Sequence, residues 1–248
     1  MGDGSFPQAL PHGELREILP SMYLVTGAMK LARPPLSMSR NMTVVREPAG
    51  LVLVNSVRLS EQGLKQLDAL GKVTDVIRLA GFHGRDDGFY KDRYGAKVWA
   101  VKGQRYTTGF ATDSKKEYFT YDVQMDGDTK LPIAGARLYV VDSIPSEALL
   151  LLERANGVVI AGDCLQNWGT TDAYFNWPAK LMMRMMGFIK PHNIGPGWVK
   201  MAKPSANALR GILDLPFEDV LPSHGTPVLG GAKVAYQSAI DRAAGQAR

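Results

Sequence analysis

The fold and the candidate site are decided by one stretch, Val76-Ile-Arg-Leu-Ala-Gly-Phe-His-Gly-Arg-Asp-Asp-Gly-Phe-Tyr90. It begins with an apolar run, breaks at a glycine, and then places His83, Arg85, Asp86 and Asp87 within five positions. Such a run predicts a buried strand that enters a surface loop. Loops that leave strand ends often carry the chemistry of α/β folds. The loop is therefore a candidate metal or acid/base site that needs partners from elsewhere in the chain.

The composition allows one large domain or two small ones, and we predict a single domain over residues 1–248. Of the 248 residues, 45% are hydrophobic, which is enough for a sizeable core. No apolar run approaches the ~20 residues of a membrane span. Residues 1–20 lack the basic start and apolar centre of a signal peptide, and we predict that they form an N-terminal extension, either a tail or an edge segment. The single cysteine, Cys164, excludes an internal disulfide and is typical of a cytoplasmic protein.

The formal net charge of +5 is mildly basic, and the basic residues are scattered. The absence of a Lys/Arg stripe interleaved with aromatic residues argues against a nucleic-acid partner. We expect a small-molecule substrate or ligand, no nucleic acid and no membrane, and the pattern leaves the oligomeric state open. The Met-rich run 180–188 predicts a helix. Its methionines pack in the core or line a lipid or ligand groove, and we expect the core.

The hydrophobic pattern predicts strands first, then alternating helices and strands. Ser60 is the predicted N-cap of a helix that runs to about Leu70 and ends at Gly71. Residues 32–40 predict a loop, and residues 102–130 an irregular excursion. The other predicted strands lie at 21–26, 43–47, 51–57, 73–79, 97–101, 136–141, 148–152, 157–161 and from 219, and the other helices at 89–94, 206–213 and 232–244.

Three distant segments share one arrangement, an apolar strand followed by a glycine beside a residue that can bind metal. They are Gly81-Phe-His83, Gly162-Asp163 and His224-Gly225, and Asp87 joins them through the first loop. Two imidazoles and two carboxylates suit Zn, Fe or Mn. The sequence thus predicts a metal site at His83, Asp87, Asp163 and His224.

At these motifs the chain resembles the metallo-β-lactamase-fold superfamily, which includes glyoxalase II-like hydrolases. The resemblance covers about residues 40 to 245. The family's loop, His-x-His-x-Asp-His, corresponds to His83 through Gly88, where Arg85 and Gly88 replace the second and last His. Asp163 matches the family's bridging Asp and His224 its final His, whereas residues 142–146 lack the middle His. The resemblance implies an α/β fold, a four-layer αββα sandwich with the metal site at one edge of two sheets.

The departures from the motif imply an incomplete site with at most one Zn, Fe or Mn ion. The ion would be held by Asp87, Asp163 and His224, with His83 turning inward or Asp142 replacing the missing His. The implied activity is hydrolysis of an ester, thioester, lactone or phosphoester. Asp87 would orient or deprotonate water, and Arg85 would bind an anionic group of the substrate.

A second hypothesis is a metal-free, non-catalytic relative that binds a ligand or has a structural role. In it, Arg85 pairs with Asp87 and Asp163 and so replaces the metal, because a guanidinium is permanently charged and cannot be a metal ligand. Asp86 is predicted to be solvated or to cap a helix. Four aromatic residues are predicted to line the pocket or to pack elsewhere, and these are Trp168, Tyr174, Trp177 and Trp198.

Overall fold

The computed structural model describes residues 6–31, 34–106 and 119–247. The strands in these ranges are β1 Arg16–Leu19, β2 Met22–Leu31, β3 Leu36–Glu47, β4 Gly50–Val54, β5 Val73–Arg78, β6 Lys97–Val101, β7 Val123–Met125, β8 Ala136–Val141, β9 Glu147–Leu152, β10 Val158–Ala161, β11 Leu165–Gln166, β12 Asn193–Ile194 and β13 Asp219–Pro222. The α-helices are α1 Glu61–Leu70, α2 Asp87–Tyr94, α3 Trp177–Met185, α4 Pro196–Ala202, α5 Ala206–Gly211 and α6 Ala232–Gln246.

Two large sheets form the centre of the fold. The first has seven strands in the order β1 to β7, antiparallel up to β4 and parallel from β4 to β7. The second has four strands in the order β13-β10-β9-β8, and its β10 and β13 run parallel. A core cluster that contains Val52 and Ile77 of the first sheet and Leu150 and Ile160 of the second fills the space between them.

Helices cover the outer face of each large sheet. Along β4, Val52 faces the inter-sheet cluster while Leu51 packs with Leu64 of α1 and Phe89 of α2. Along β9, alternate leucines pack instead with residues of α4, α5 and α6. Every residue of β9 is buried, because both faces of this strand are covered. The fold is a four-layer αββα sandwich, as the resemblance implied.

Local sequence signals account for several elements. The hydroxyl of Ser60 accepts a hydrogen bond of 3.3 Å from the Gly63 amide, α1 buries Leu64 and Leu67, and the helix ends at Gly71. This helix is confirmed, as are helices close to the predicted 89–94, 206–213 and 232–244. No helix among the described residues is long and apolar enough to cross a membrane.

The structure differs from the predictions at the predicted loop 32–40, and the predicted excursion 102–130 lies partly outside the described residues. The predicted loop 32–40 is wrong in its second half, because Leu36 already pairs with Leu31 at the start of β3. Residues 16–19, within the predicted N-terminal extension, form edge strand β1. Of the predicted excursion 102–130, residues 107–118 are outside the described ranges. A single domain stays a prediction.

Candidate metal centre

His83 lies in a loop that is organised by a buried arginine. Arg78, the last residue of β5, is 2% exposed and donates to the carbonyl oxygens of Ala80 at 3.2 Å, Gly81 at 2.5 Å and Arg105 at 3.0 Å. A guanidinium that satisfies three carbonyls fixes the path of the backbone just before His83. The sequence did not predict this role of Arg78, because an arginine at the end of a strand is common.

Asp163 and His224 follow two strands that are neighbours in the second sheet. The parallel register pairs Ala161 of β10 with Pro222 of β13, so both strands end at the same edge. Gly162 precedes Asp163, and a Cβ at this glycine would lie 2.5 Å from the Cβ of Ala80, closer than side chains pack. The glycine therefore lets the loop that carries Asp163 approach the end of the first sheet.

Two buried asparagines hold the loop that carries His224. Asn41 donates to the carbonyls of Pro222 at 2.8 Å and Gly225 at 2.7 Å. Asn55 donates to Ser223 Oγ at 2.8 Å and accepts at 3.0 Å from the Leu79 amide. Both asparagines belong to the first sheet or its edge, so they connect the two sheets at the point where His224 enters the site.

Three side chains converge at this edge. His224 Nε2 lies 3.0 Å from Asp163 Oδ1, and His83 Nε2 lies 3.3 Å from His224 Nε2 and 3.4 Å from Asp163 Oδ1. The exposed fractions of the three side chains are 6% for His83, 13% for Asp163 and 6% for His224. Together they form a buried triad of metal-capable residues.

Burial favours a neutral His83, and the neighbouring imidazoles favour an ionised Asp163. Burial lowers the pKa of His83, because a charged imidazole loses its solvation there. Burial acts to raise the pKa of Asp163, but the adjacent His83 and His224 outweigh it, and the pKa is lowered. Neutral imidazole nitrogens and a carboxylate oxygen are the donor forms that a divalent metal requires.

The donor atoms fit a zinc-sized ion. At metal–ligand distances of ~2.0–2.1 Å, two ligand atoms of a tetrahedral site lie about 3.3 Å apart, and the three observed separations are 3.0, 3.3 and 3.4 Å. Among the described residues, Asp163 Oδ2 and His83 Nδ1 are buried and have no hydrogen-bond partner. Buried polar atoms normally have a hydrogen-bond partner, so unpartnered atoms at this triad indicate a site that binds a ligand.

Comparison with known proteins was made by sequence and by structure. No family model and no curated protein matches the chain. Among solved structures, the DIM-1 metallo-beta-lactamase is 13% identical, covers 94% of this chain and 100% of its own, and has a TM-score of 0.62. FIM-1 from Pseudomonas aeruginosa, in a mono-zinc form, is 10% identical over 96% and 98% of the two chains, with a TM-score of 0.61.

The chain has the metallo-β-lactamase fold. A beta-lactamase domain protein from Burkholderia ambifaria is also similar, at 20% identity over 92% of this chain and 75% of its own, with a TM-score of 0.56. All of these identities are low, so the likeness fixes the architecture and leaves the chemistry to be argued from the site.

Within this metallo-β-lactamase fold, Asp87 is not brought to the triad. It is the first residue of α2, is fully buried, and accepts hydrogen bonds from Ser56 Oγ and from the Tyr106 hydroxyl. Burial raises its pKa, although these two bonds act to lower it. Asp142, the other proposed substitute ligand, is exposed after β8. The Asp87 carboxylate is therefore hydrogen-bonded to Ser56 and Tyr106, and the Asp142 carboxylate is in solvent, so neither belongs to the triad.

Arg85 and Asp86 lie in opposite environments. Arg85, whose orientation the sequence left open, is exposed, whereas Asp86 is 2% exposed, pairs with the Arg40 guanidinium and accepts from the Arg58 amide at 2.8 Å. Of the two alternatives for Asp86, solvation is wrong, because the buried cation Arg40 requires a counter-charge. Asp86 does occupy the N-cap position of α2, although its side chain makes no capping hydrogen bond. The metal-free hypothesis is not favoured, since His83 and His224, not Arg85, contact Asp163.

Glu147 is a site residue that sequence reasoning missed. It begins β9, is fully buried, and its Oε1 accepts at 2.7 Å from the amide of Cys164, next to Asp163. Burial, and then the charge of Asp163, raise its pKa well above the ordinary value, so the neutral acid is favoured. The sequence signal that could have indicated a buried acid here is the position of Glu147 at the start of an otherwise apolar strand.

The four aromatic residues have different environments. Trp168 packs beside the triad, with its ring centroid 4.7 Å from that of His224, and its indole donates to Ser39 Oγ at 3.1 Å. Trp198 is buried in the outer core of the second sheet, and Tyr174 is half-buried. Trp177 is 74% exposed. Of the four, only Trp168 contacts the triad among the described residues.

Proposed function

We propose that this protein is a hydrolase that holds at most one divalent metal ion on His83, Asp163 and His224. The observation that carries the proposal is the convergence of three donor atoms within 3.0–3.4 Å of one another, with Asp163 Oδ2 left unpartnered. Asp87 then supports the loop through Ser56 and Tyr106 instead of being a ligand. Zn, Fe and Mn all suit this donor set.

When bound, the ion supplies Lewis acidity that polarises a carbonyl or phosphoryl oxygen and makes water a nucleophile near neutral pH. The protein's own residues set the site's protonation and shape. His83 stays neutral because burial lowers its pKa. Trp168 packs against His224 and shields that side of the triad from water.

The substrate class is an ester, thioester, lactone or phosphoester with an anionic group. Support for the anionic group comes from a small cleft lined by Arg40, Arg58, Arg85 and Asp86. Three arginines against one aspartate give the cleft a positive charge, and exposed Arg85 presents a planar donor fork for a carboxylate or phosphate. We place the reaction in the cytoplasm, in keeping with the single cysteine.

The metal content tests the first half of this proposal. Elemental analysis of protein purified without added metal is expected to give close to one Zn, Fe or Mn per chain. Arg85→His is expected to leave that stoichiometry unchanged, because Arg85 faces solvent. Two ions per chain contradict the proposal, and an empty wild type that gains metal in Arg85→His restores the metal-free hypothesis.

Substrate preference tests the second half. Paired ester, thioester and lactone substrates, with and without a carboxylate group, are compared at fixed metal content. Arg85→Gln is expected to raise KM for the anionic member of a pair by about tenfold, the size of one charge-assisted hydrogen bond, and to leave the neutral member unchanged. Arg137→Gln, an exposed arginine paired with Glu153, is the matched control. An equal change in KM for the anionic and the neutral substrate of a pair would show that Arg85 does not bind the anionic group.

A further inference from the structure

The helix α3 presents an apolar stripe to solvent. Trp177, Leu181 and Met185 are spaced by four residues and are 74%, 52% and 79% exposed. At this spacing the three side chains lie on one face of the helix. The expectation that the methionines of 180–188 pack in the core is therefore wrong in part: Met183 is buried, whereas Met185 and Met186 are exposed.

The stripe is a fixed part of the fold. The opposite side of α3 buries Ala179 and Met183 in a cluster with Trp168. The N-cap Asn176 accepts at 3.1 Å from the Ala179 amide and at 3.1 Å from the amide of Ser37 in β3. The exposed apolar side chains are thus displayed by a helix that the protein holds in place, which lowers the entropic cost of docking.

Other exposed apolar groups extend the stripe. Met186 follows α3 and is 51% exposed. Phe188 packs against α4, since a Cβ at Gly197 would lie 2.7 Å from the Phe188 ring. Met201, one helical turn after Gly197, is again 51% exposed. We call Trp177, Leu181, Met185, Met186 and Met201 the α3–α4 surface. Single exposed apolar residues are ordinary, but a contiguous group rimmed by polar residues marks an interaction site.

The chain segment that carries α3 and α4 has charge of one sign. Residues 173–213 contain six Lys or Arg and no Asp or Glu, although the formal net charge of the whole chain is only +5. Arg184, Lys190 and Lys200 are exposed, and within the described ranges none of them forms an ion pair. The rest of the chain is therefore close to electrically neutral, and the excess positive charge lies in the segment that carries the exposed apolar side chains.

We propose that the α3–α4 surface docks on an anionic phospholipid bilayer. In a helix that lies at a membrane interface, apolar and aromatic side chains enter the headgroup and acyl boundary while flanking cations contact lipid phosphates. Trp177 at the start of α3 and Lys180 and Arg184 beside the stripe have this arrangement. That no helix of the described residues is long and apolar enough to cross a membrane does not bear on such a peripheral contact.

A second copy of the chain fits the surface less well. A two-fold interface places the same patch on both subunits, so it would bring two sets of unpaired cations together. Like charges that face each other across an interface disfavour association. The proposal concerns lipid binding and not catalysis, so its test does not depend on the proposed hydrolase function.

Vesicle co-sedimentation tests the proposal on the full chain. Vesicles of phosphatidylcholine alone are compared with vesicles that also contain phosphatidylglycerol, at low and high salt. Binding is expected only to the anionic vesicles and is expected to weaken with salt. Fluorescence gives a local readout, because Trp168 and Trp198 are 2% and 3% exposed and Trp99 is half-buried in β6, whereas Trp177 is 74% exposed. A blue shift that is absent in Trp177→Phe places the contact on α3.

Paired variants separate the apolar and the charged contributions. Leu181→Ser with Met185→Ser, and Lys180→Gln with Arg184→Gln, are each expected to weaken vesicle partitioning on the order of tenfold. Val234→Ser is the matched control, since Val234 is 77% exposed on α6. Circular dichroism checks that each variant is folded. Absent binding, equal binding to neutral vesicles, or a dimer that the Leu181 and Met185 substitutions dissociate would each overturn the proposal.

Discussion

The Nε2 atoms of His83 and His224 lie 3.3 Å apart, although 141 positions separate the two residues in the chain. The Nδ1 atom of His224 lies 3.2 Å from the carbonyl oxygen of Ser39. A proton on Nδ1 can therefore donate to this carbonyl, which leaves the lone pair of Nε2 directed at the triad. Hydrogen bonds of this kind fix the tautomer of metal-binding histidines.

Removal of either imidazole should abolish tight metal binding. Substitution of a residue that only hydrogen-bonds to a metal ligand typically lowers metal affinity by about 10–100-fold. Loss of one of the three donor atoms themselves is therefore expected to lower metal affinity by more than about 100-fold. His83→Ala and His224→Ala are measured by competition against a chromophoric chelator. His192→Ala is the control, because His192 packs against Tyr236 away from the triad. Unchanged affinity in His83→Ala would remove it from the site.

Asn55 is expected to support the site from a distance. It donates to Ser223 Oγ and Ala161 O and accepts from the Leu79 amide, and its φ of 54° is a conformation that asparagine tolerates. Asn55→Ala leaves these buried groups unsatisfied, at a cost of about 2–3 kcal/mol of unfolding free energy. Metal affinity should fall by about tenfold as the His224 loop loosens.

Urea unfolding and the chelator assay measure the two effects of Asn55→Ala on the same preparation. Ser223→Ala removes one hydroxyl from the same network, and is expected to cost about 1 kcal/mol. A stability loss in Asn55→Ala without any change in metal affinity would show that the asparagine supports the fold and not the triad.

Asp86 is expected to be needed for stability because it neutralises the buried Arg40. Asp86→Ala leaves that guanidinium uncompensated and should cost about 3–5 kcal/mol. The double variant Arg40→Met with Asp86→Leu is expected to recover much of the loss, since it removes both charges. Glu153→Ala breaks an exposed pair with Arg137 and should cost less than about 1 kcal/mol. Equal losses for the buried and exposed pairs would contradict this account.

Asp87 should make stability fall as pH rises. Its pKa in the folded protein is raised above 3.8 by burial, so the unfolded chain releases this proton at a lower pH than the folded chain. The folded state is therefore penalised progressively as pH rises from about 3.8 through the folded pKa, and the penalty is constant above it. Asp87→Asn removes this slope.

Urea unfolding of wild type and Asp87→Asn over this pH window measures the difference. Asp122 is the control, because bonds from Lys91 and the Val98 amide outweigh burial and lower its pKa below 3.8. Its contribution is lost only as pH falls through the folded pKa, so Asp122→Asn should leave the slope above 3.8 unchanged. Parallel curves for wild type and Asp87→Asn would mean that Asp87 is already ionised.

Local patterns were enough to predict much of the fold. The helix that Ser60 begins and Gly71 ends follows from capping and from leucines on one face, and both signals act within a few residues. The loop predicted at 32–40 is wrong from Leu36 onward, because Ser37 and Ser39 alternate with Leu36 and Met38, which suits a strand that pairs with β2. Pairing with a partner strand is not a local property.

By itself the sequence determined where strands end in glycine-containing loops, and hence that His83, Asp163 and His224 could meet at one sheet edge. It did not determine which polar side chains of the first loop turn inward. Arg40, Ser56 and Tyr106, all from other segments, bind Asp86 and Asp87, while Arg85 is left in solvent. Only the tertiary structure decided this, because a buried charge takes the orientation in which distant groups compensate it.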